Sequence, residues 1–200
     1  RMRASIDLFT DQLIATQSSK VYMTEQVTPL YRWAKGKFPE LVGSEYLGDE
    51  KTGGTDYEGI RHEDTTRLSL ESDSLDCVLS FDVLEHIPDY QLAIKEIFRC
   101  LKPGGFLLLS APFVSDNYQT RVRARLLPGG HVEHLLSPEY HGNPTQPGSG
   151  SLCYYHFGWD LLDEIGKAGA TDVRVLSYYC FERGNFGKSQ LFFWARKADL

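Results

Sequence analysis

Four cysteines in 200 residues stand far apart, and no Cys-x-x-Cys pair exists, so neither a zinc-finger ligand set nor a disulfide framework is expected. Cys77 and Cys100 fall within apolar patterns, where a reduced, buried thiol is the ordinary outcome. Long hydrophobic runs are missing too. Nothing approaches the ~20 apolar residues of a membrane span, and Arg1, Met2 and Arg3 lead to Asp7 and Asp11 rather than to a signal-peptide core. The expectation is a cytoplasmic protein with no membrane partner. The chain opens on Arg1 rather than Met, as a trimmed chain or a piece of a longer one would. Basic residues are in deficit: 21 Lys and Arg against 27 Asp and Glu give a formal charge of −6, the wrong sign for bulk nucleic-acid binding. No Gly-x-Gly-x-x-Gly follows any apparent strand, which argues against a dinucleotide site.

What is present is a folded chain of ordinary make-up. Hydrophobic residues make up 42% and charged residues 24%, and the length suits a single domain over 1–200 with a full core. Ile6, Phe9, Leu13 and Ile14 carry a helical period in an N-terminal helix within 1–19. Residues 20–24 read as a strand, and Thr28 before Pro29 reads as an N-cap and first helical position. Residues 41–46 and 60–63 read as further short strands around a Gly-rich loop. Leu75–Phe81 is an apolar run of the kind buried on both faces of a parallel sheet. Tyr90, Ala93, Ile94, Ile97, Phe98 and Leu101 mark one helix face, closed by a Pro-Gly-Gly turn, and Phe106–Ala111 follows as the next strand. Residues 127–154, rich in Gly, Pro and His, read as a loop insertion and a candidate substrate lid. A helix over 158–168 and a strand pair over 172–178 and 190–195 close the chain. Alternating strands and helices predict an α/β fold: a doubly wound, Rossmann-like, mostly parallel sheet with an antiparallel C-terminal edge hairpin and helices on both faces.

In such sheets ligands bind beyond the carboxyl ends of the strands. Those positions here hold Glu25, Glu45, Asp64 and Asp82, a set suited to a ligand rich in hydroxyl and amino donors or carrying positive charge. Arg121, Arg123 and Arg125 read as a solvated helix face, and the spacing of the insertion's histidines is not that of a zinc motif.

The stretch IRHEDTTRLSLESDSLDCVLSFDVLEHIPDYQLAIKEIFRCLKPGGFLLLSAPF, residues 60–113, resembles class I S-adenosylmethionine-dependent methyltransferases of the methyltransferase-11 type, and YHFGWDLLDEIGKAGA, residues 155–170, is similar to a later helix of that family. The resemblance implies S-adenosylmethionine as cofactor, S-adenosylhomocysteine as product and a small-molecule acceptor methylated on oxygen or nitrogen. The chain is expected to act as a monomer or homodimer. Position by position it implies Glu45 on the ribose hydroxyls, Asp64 and Thr65 on the adenine, Ser80, Phe81 and Asp82 at the methionine end, and Glu25 heading the first loop. His86 matches a histidine that serves some relatives as general base. His134, His141 and Tyr155 are candidates for the acceptor side, from the insertion and its edge. Asp82, Glu85 and His86 also resemble the metal-binding Glu-x-x-Glu-His of ubiquinone-pathway O-methyltransferases, but capping of the next helix is the plainer role for Glu85 and His86, and no metal is expected. One departure stands out. Where the family has Gly-x-Gly after its first strand, this chain has Glu25, Gln26 and Val27, so a catalytically silent domain is the alternative.

Overall fold

The structure, a computed structural model, describes residues 2–11, 18–145 and 148–199. Its frame is a six-stranded sheet with helices on both sides. In chain order the elements are α1 (Met2–Asp11), β1 (Val21–Met23), α2 (Pro29–Lys37), β2 (Val42–Gly43), β3 (Leu75–Phe81), α3 (Tyr90–Cys100), β4 (Leu101–Ser110), α4 (Asp160–Lys167), β5 (Ala170–Tyr178) and β6 (Gln190–Lys197). The strand order is β5-β6-β4-β3-β1-β2. The four strands from β2 to β4 run parallel, while β6 pairs antiparallel with β4 and β5.

The pleat explains why the central strands are apolar throughout. Successive side chains leave opposite faces, so Tyr22, Val78, Leu107, Leu109 and Phe193 pack with Ile94, Ile97, Phe98, Leu161 and Ile165 of α3 and α4. Val21, Met23, Cys77, Leu79, Leu108 and Phe192 pack with Leu8, Phe9, Leu30 and Ala34 of α1 and α2. The stripe Tyr90, Ala93, Ile94, Ile97, Phe98 is the buried face of α3. Thr28 caps α2, its side chain accepting from the Tyr31 N–H at 3.1 Å, with Pro29 at the first helical position. Gly105 sits where a Cβ would lie 2.9 Å from Lys102 O and 3.1 Å from Asp76 O, so the Pro-Gly-Gly turn also lets β3 and β4 approach.

Several expectations change. Leu13 and Ile14 lie outside the described residues, and α1 is described over Met2–Asp11. The predicted third strand is reduced to a two-residue ribbon, Ile60–Arg61 against Asp56–Tyr57, and a single Glu45–His62 bridge to the chain after β2. The cap of α3 is Asp89, which accepts from the Leu92 N–H at 3.0 Å, rather than Glu85 or His86, which form a 3-10 turn ahead of it. The insertion is not an irregular loop. It begins earlier than predicted and folds as short antiparallel ribbons: Arg121–Val122 with Tyr155–His156, Ala124–Leu126 with Val132–His134, and Tyr140–His141 with Ser151–Leu152. Arg121 and Arg125 therefore lie in these ribbons, with Arg123 between them. The Arg123 side chain is 13% exposed and pairs with Glu139 at 3.1 Å, so it is no solvated helix face.

Candidate active site

A cavity of about 1380 Å³ opens beyond the carboxyl ends of the parallel strands. That exceeds the roughly 300–1,000 Å³ of a pocket for one drug-sized ligand and leaves room for two molecules side by side. Its wall takes Thr24 and Glu25 from the end of β1, Ser44 and Glu45 from β2, Phe81 and Asp82 from β3, and Pro112 and Phe113 from β4. The insertion covers the far end with Val132, Glu139, His141, Leu152, Tyr154 and His156.

One end is acidic. Burial raises the Glu25 carboxyl to about 7, with the neighbouring Glu45 and Asp82 charges pushing the same way against a lowering bond from Thr28. Glu25 Oε1 is buried with no hydrogen-bond partner among the described residues. The loop that replaces the glycines is held by Glu45, whose Oε1 accepts from the N–H groups of Gln26 at 2.7 Å and Val27 at 3.0 Å. The Gln26 side chain turns away from the cavity, donating to Gly59 O and accepting from the Arg61 N–H. Neither Gln26 nor Val27 lines the cavity. The close approach needed here is made by Gly43 on β2, where a Cβ would lie 2.3 Å from the Tyr31 ring and 2.8 Å from Glu25 O. Asp82 holds φ at 54°, a left-handed backbone, and its Oδ1 accepts from the Ser110 hydroxyl at 3.1 Å.

The other end is built on imidazole. His86 donates from Nδ1 to Leu152 O at 2.7 Å, and burial, its largest influence, holds its pKa below the usual histidine value. The His141 ring stands 4.9 Å away, edge-on. Between them lies Glu85, fully buried, its Oε1 3.3 Å from His141 Nδ1 and 3.7 Å from His86 Nε2.

A methyltransferase domain model matches residues 13–109. The match covers just under half of the chain and makes that part similar to methyltransferase domains. Over 53 residues it is 43% identical to a probable S-adenosylmethionine-dependent methyltransferase of Mycolicibacterium smegmatis, covering 26% of this chain and 21% of that protein. Over 81 residues it is 35% identical to a demethylmenaquinone methyltransferase of Staphylococcus aureus, covering 38% and 34%. The chain thus matches about a fifth and a third of the length of these two relatives. Among solved structures, the 1,6-didemethyltoxoflavin-N1-methyltransferase of Burkholderia thailandensis, with 1,6-didemethyltoxoflavin and S-adenosylhomocysteine bound, superposes at a TM-score of 0.52 with 15% identity, covering 100% of this chain and 78% of that one.

Of the candidate site residues, Glu25, Glu45, Asp64, Thr65, Phe81, Asp82, His86 and, from the insertion, His141 all reach the cavity wall. Three do not. The Ser80 hydroxyl is buried between strands and accepts from the Thr24 hydroxyl at 3.0 Å. His134 stands exposed on its ribbon, off the wall. Tyr155 is buried against Tyr90 and Phe157, donating to Pro88 O, and the neighbouring Tyr154 takes its place on the wall. Asp64 also works locally: Oδ1 accepts from the backbone N–H and hydroxyl of Thr66, closing its own turn. Sequence reading missed Glu63, which is buried and anchors that segment by accepting from Arg61 and Ser69; Glu139, in the insertion, collects His141, His156 and Arg123. An acid between two short strands carries no signal of its own burial.

Proposed function

We propose that this chain transfers a methyl group from S-adenosylmethionine to a small-molecule acceptor. One observation carries the reading: a single cavity joins an acidic end, with the orphaned Glu25 Oε1, to an imidazole end, and is large enough for cofactor and acceptor together. The donor set fits the cofactor. Its ammonium and sulfonium are cationic and its ribose and adenine are rich in donors, whereas Glu25, Glu45, Asp82 and Asp64 offer acceptors and negative charge. The orientation of Gln26 supports turnover over the silent alternative, because its side chain leaves the cavity open.

The cofactor, when bound, supplies a methyl carbon already activated for in-line displacement. The protein's task is alignment and exclusion of water. Glu45 would hold the ribose, Asp64 and Thr65 would meet the adenine, and Phe81 and Asp82 would bound the methionine end. His86, tethered through Nδ1, presents Nε2 to receive the proton of a hydroxyl acceptor. The insertion ribbons would close over the acceptor, and His141 and Tyr154 are its contacts there.

Calorimetric titration of the purified chain with S-adenosylmethionine and S-adenosylhomocysteine tests this. Glu45→Gln and Asp64→Asn are the informative variants, because Asn keeps the acceptor that closes the Asp64 turn while removing charge. Each is expected to weaken binding about tenfold or more, the loss of a charge-assisted hydrogen bond. No heat with either ligand would return the silent-domain reading.

A further inference from the structure

The cavity wall is sorted by charge. Among the described residues no lysine or arginine lines it, whereas carboxylates stand along its whole length, from Glu25 and Asp82 at the acidic end to Asp89 and Glu139 at the imidazole end. Three arginines lie behind the lining, and each is already paired: Arg61 with Glu63 at 2.7 Å, Arg67 with Asp64 at 3.2 Å and Arg123 with Glu139 at 3.1 Å. None of the three is left to meet an anionic ligand. The N-terminus of α3 does not fill that role either. Asp89 caps it, Oδ1 accepting from the Leu92 N–H at 3.0 Å, so the positive end of the helix faces a carboxylate of its own chain. Asp89 is exposed, and its Oδ2 accepts no bond among the described residues. Phe113 and Tyr154 line the cavity as well, and aromatic faces attract cations.

We infer that the acceptor is a hydroxyl compound carrying a protonated amino group, with no phosphate, carboxylate or sulfate on the part that enters the cavity. This rests on the proposed methyl transfer and names its acceptor class. A phosphate or carboxylate at the imidazole end would meet like charge in a partly desolvated space, which is strongly disfavoured. The same sorting sets nucleic acids and phosphorylated acceptors aside, since each phosphate needs a cationic partner. An ammonium meets the opposite case: Asp89 offers a carboxylate oxygen at the mouth, and the aromatic side chains of Phe113 and Tyr154 line the wall. Leu126, Val132 and Leu152 give apolar contact to the body of the molecule.

The ammonium serves to hold the acceptor and not to attack, because a nitrogen that keeps its proton has no lone pair for the methyl carbon. The hydroxyl is the nucleophile, and His86 suits it. Its Nδ1 faces Leu152 O at 2.7 Å, which can only accept, so the proton sits on Nδ1 and the lone pair on Nε2. Burial holds its pKa below the usual histidine value, which keeps the ring neutral at pH 7. The hydroxyl proton passes to His86 Nε2 as the oxygen bonds to the methyl carbon, and the electron pair of the broken carbon–sulfur bond stays on sulfur.

The test compares phenols of similar size and different charge at neutral pH: tyramine, a cation, 4-ethylphenol, which is neutral, and 4-hydroxyphenylacetate, an anion. Each is titrated by NMR into the chain, with and without saturating S-adenosylhomocysteine, following the imidazole signals of His141 on the cavity wall. Tyramine is expected to bind about tenfold or more tighter than the anion, with 4-ethylphenol between them. Asp89→Asn keeps the cap acceptor of α3 and removes the charge, so it should weaken tyramine about threefold and leave 4-ethylphenol unchanged. Glu71→Gln, exposed and off the wall, should alter neither. Phenethylamine, which lacks the hydroxyl, should bind about threefold more weakly than tyramine, and His86→Ala should remove that difference. Tyramine binding no tighter than the anion, absence of binding included, would overturn the inference. So would equal weakening of tyramine and 4-ethylphenol by Asp89→Asn, or phenethylamine binding as well as tyramine. Titration with S-adenosylhomocysteine on the same samples separates the two readings: cofactor binding without the charge order sinks only the acceptor class, and the charge order without cofactor binding sinks only the methyl-transfer reading.

Discussion

Glu25 is the residue whose chemistry is most sharply set by its surroundings. Its carboxyl is raised to about 7, first by burial and then by Glu45 and Asp82. An unfolded glutamate titrates near 4.5. The folded chain therefore binds more protons than the unfolded one between those values, and this group's contribution to stability falls as pH rises from about 4.5 to 7. Glu25→Gln should raise the melting temperature at pH 8, by an effect of about 2 kcal/mol, and leave it nearly unchanged at pH 4.5. A cationic ligand needs the ionised form, so affinity for S-adenosylmethionine should fall by up to about tenfold per pH unit below 7 in the wild type. The variant should bind weakly and with a flat profile; the same slope in both proteins would place the titrating group elsewhere. At this scale the acidic positions were legible in the sequence, because each follows a strand. Their states were not. That Glu85 is wholly buried depends on neighbours distant along the chain, His141 among them.

Among the elements, α3 shows how far local rules reach. Its buried stripe and its length follow from the 3.6-residue period, and Asp89 begins it. Ile94 is fully buried in the α3 and α4 core, so Ile94→Ala should cost about 2–5 kcal/mol in chemical denaturation. Asp89→Ala removes only the cap and should cost about 1 kcal/mol. A reversed order would mean that the helix is held chiefly by its end. The insertion marks the opposite limit. Its ribbons are two or three residues long, too short for alternation to register, and Arg121–Val122 finds its partner only at Tyr155–His156. Gly and Pro density correctly announced turns, but pairing across that distance has no local signature.

The whole molecule places an open-ended cavity against a sheet packed on both faces. No described helix is long and apolar enough to cross a membrane. Because the cavity wall draws on β1, β2, β3, β4 and the insertion together, a ligand filling it should stabilise the fold as a unit. At ~100 times its dissociation constant, S-adenosylhomocysteine should add ~2.7 kcal/mol to unfolding, read as one cooperative rise in melting temperature. Stabilisation confined to one part of the unfolding curve would show that the cavity's two ends do not belong to one cooperative unit. The sequence by itself determined the α/β alternation, the buried strands, the helix faces and the ring of acids beyond the strand ends, since periodicity, capping and strand termination act within a few residues. Only the tertiary structure decided that Gln26 turns outward, that Ser80, His134 and Tyr155 miss the cavity, and that Glu85, His86 and His141 converge. Those outcomes depend on burial and on partners as far apart as His86 and Leu152, 66 residues along the chain, and chain folding alone brings such groups within bonding distance.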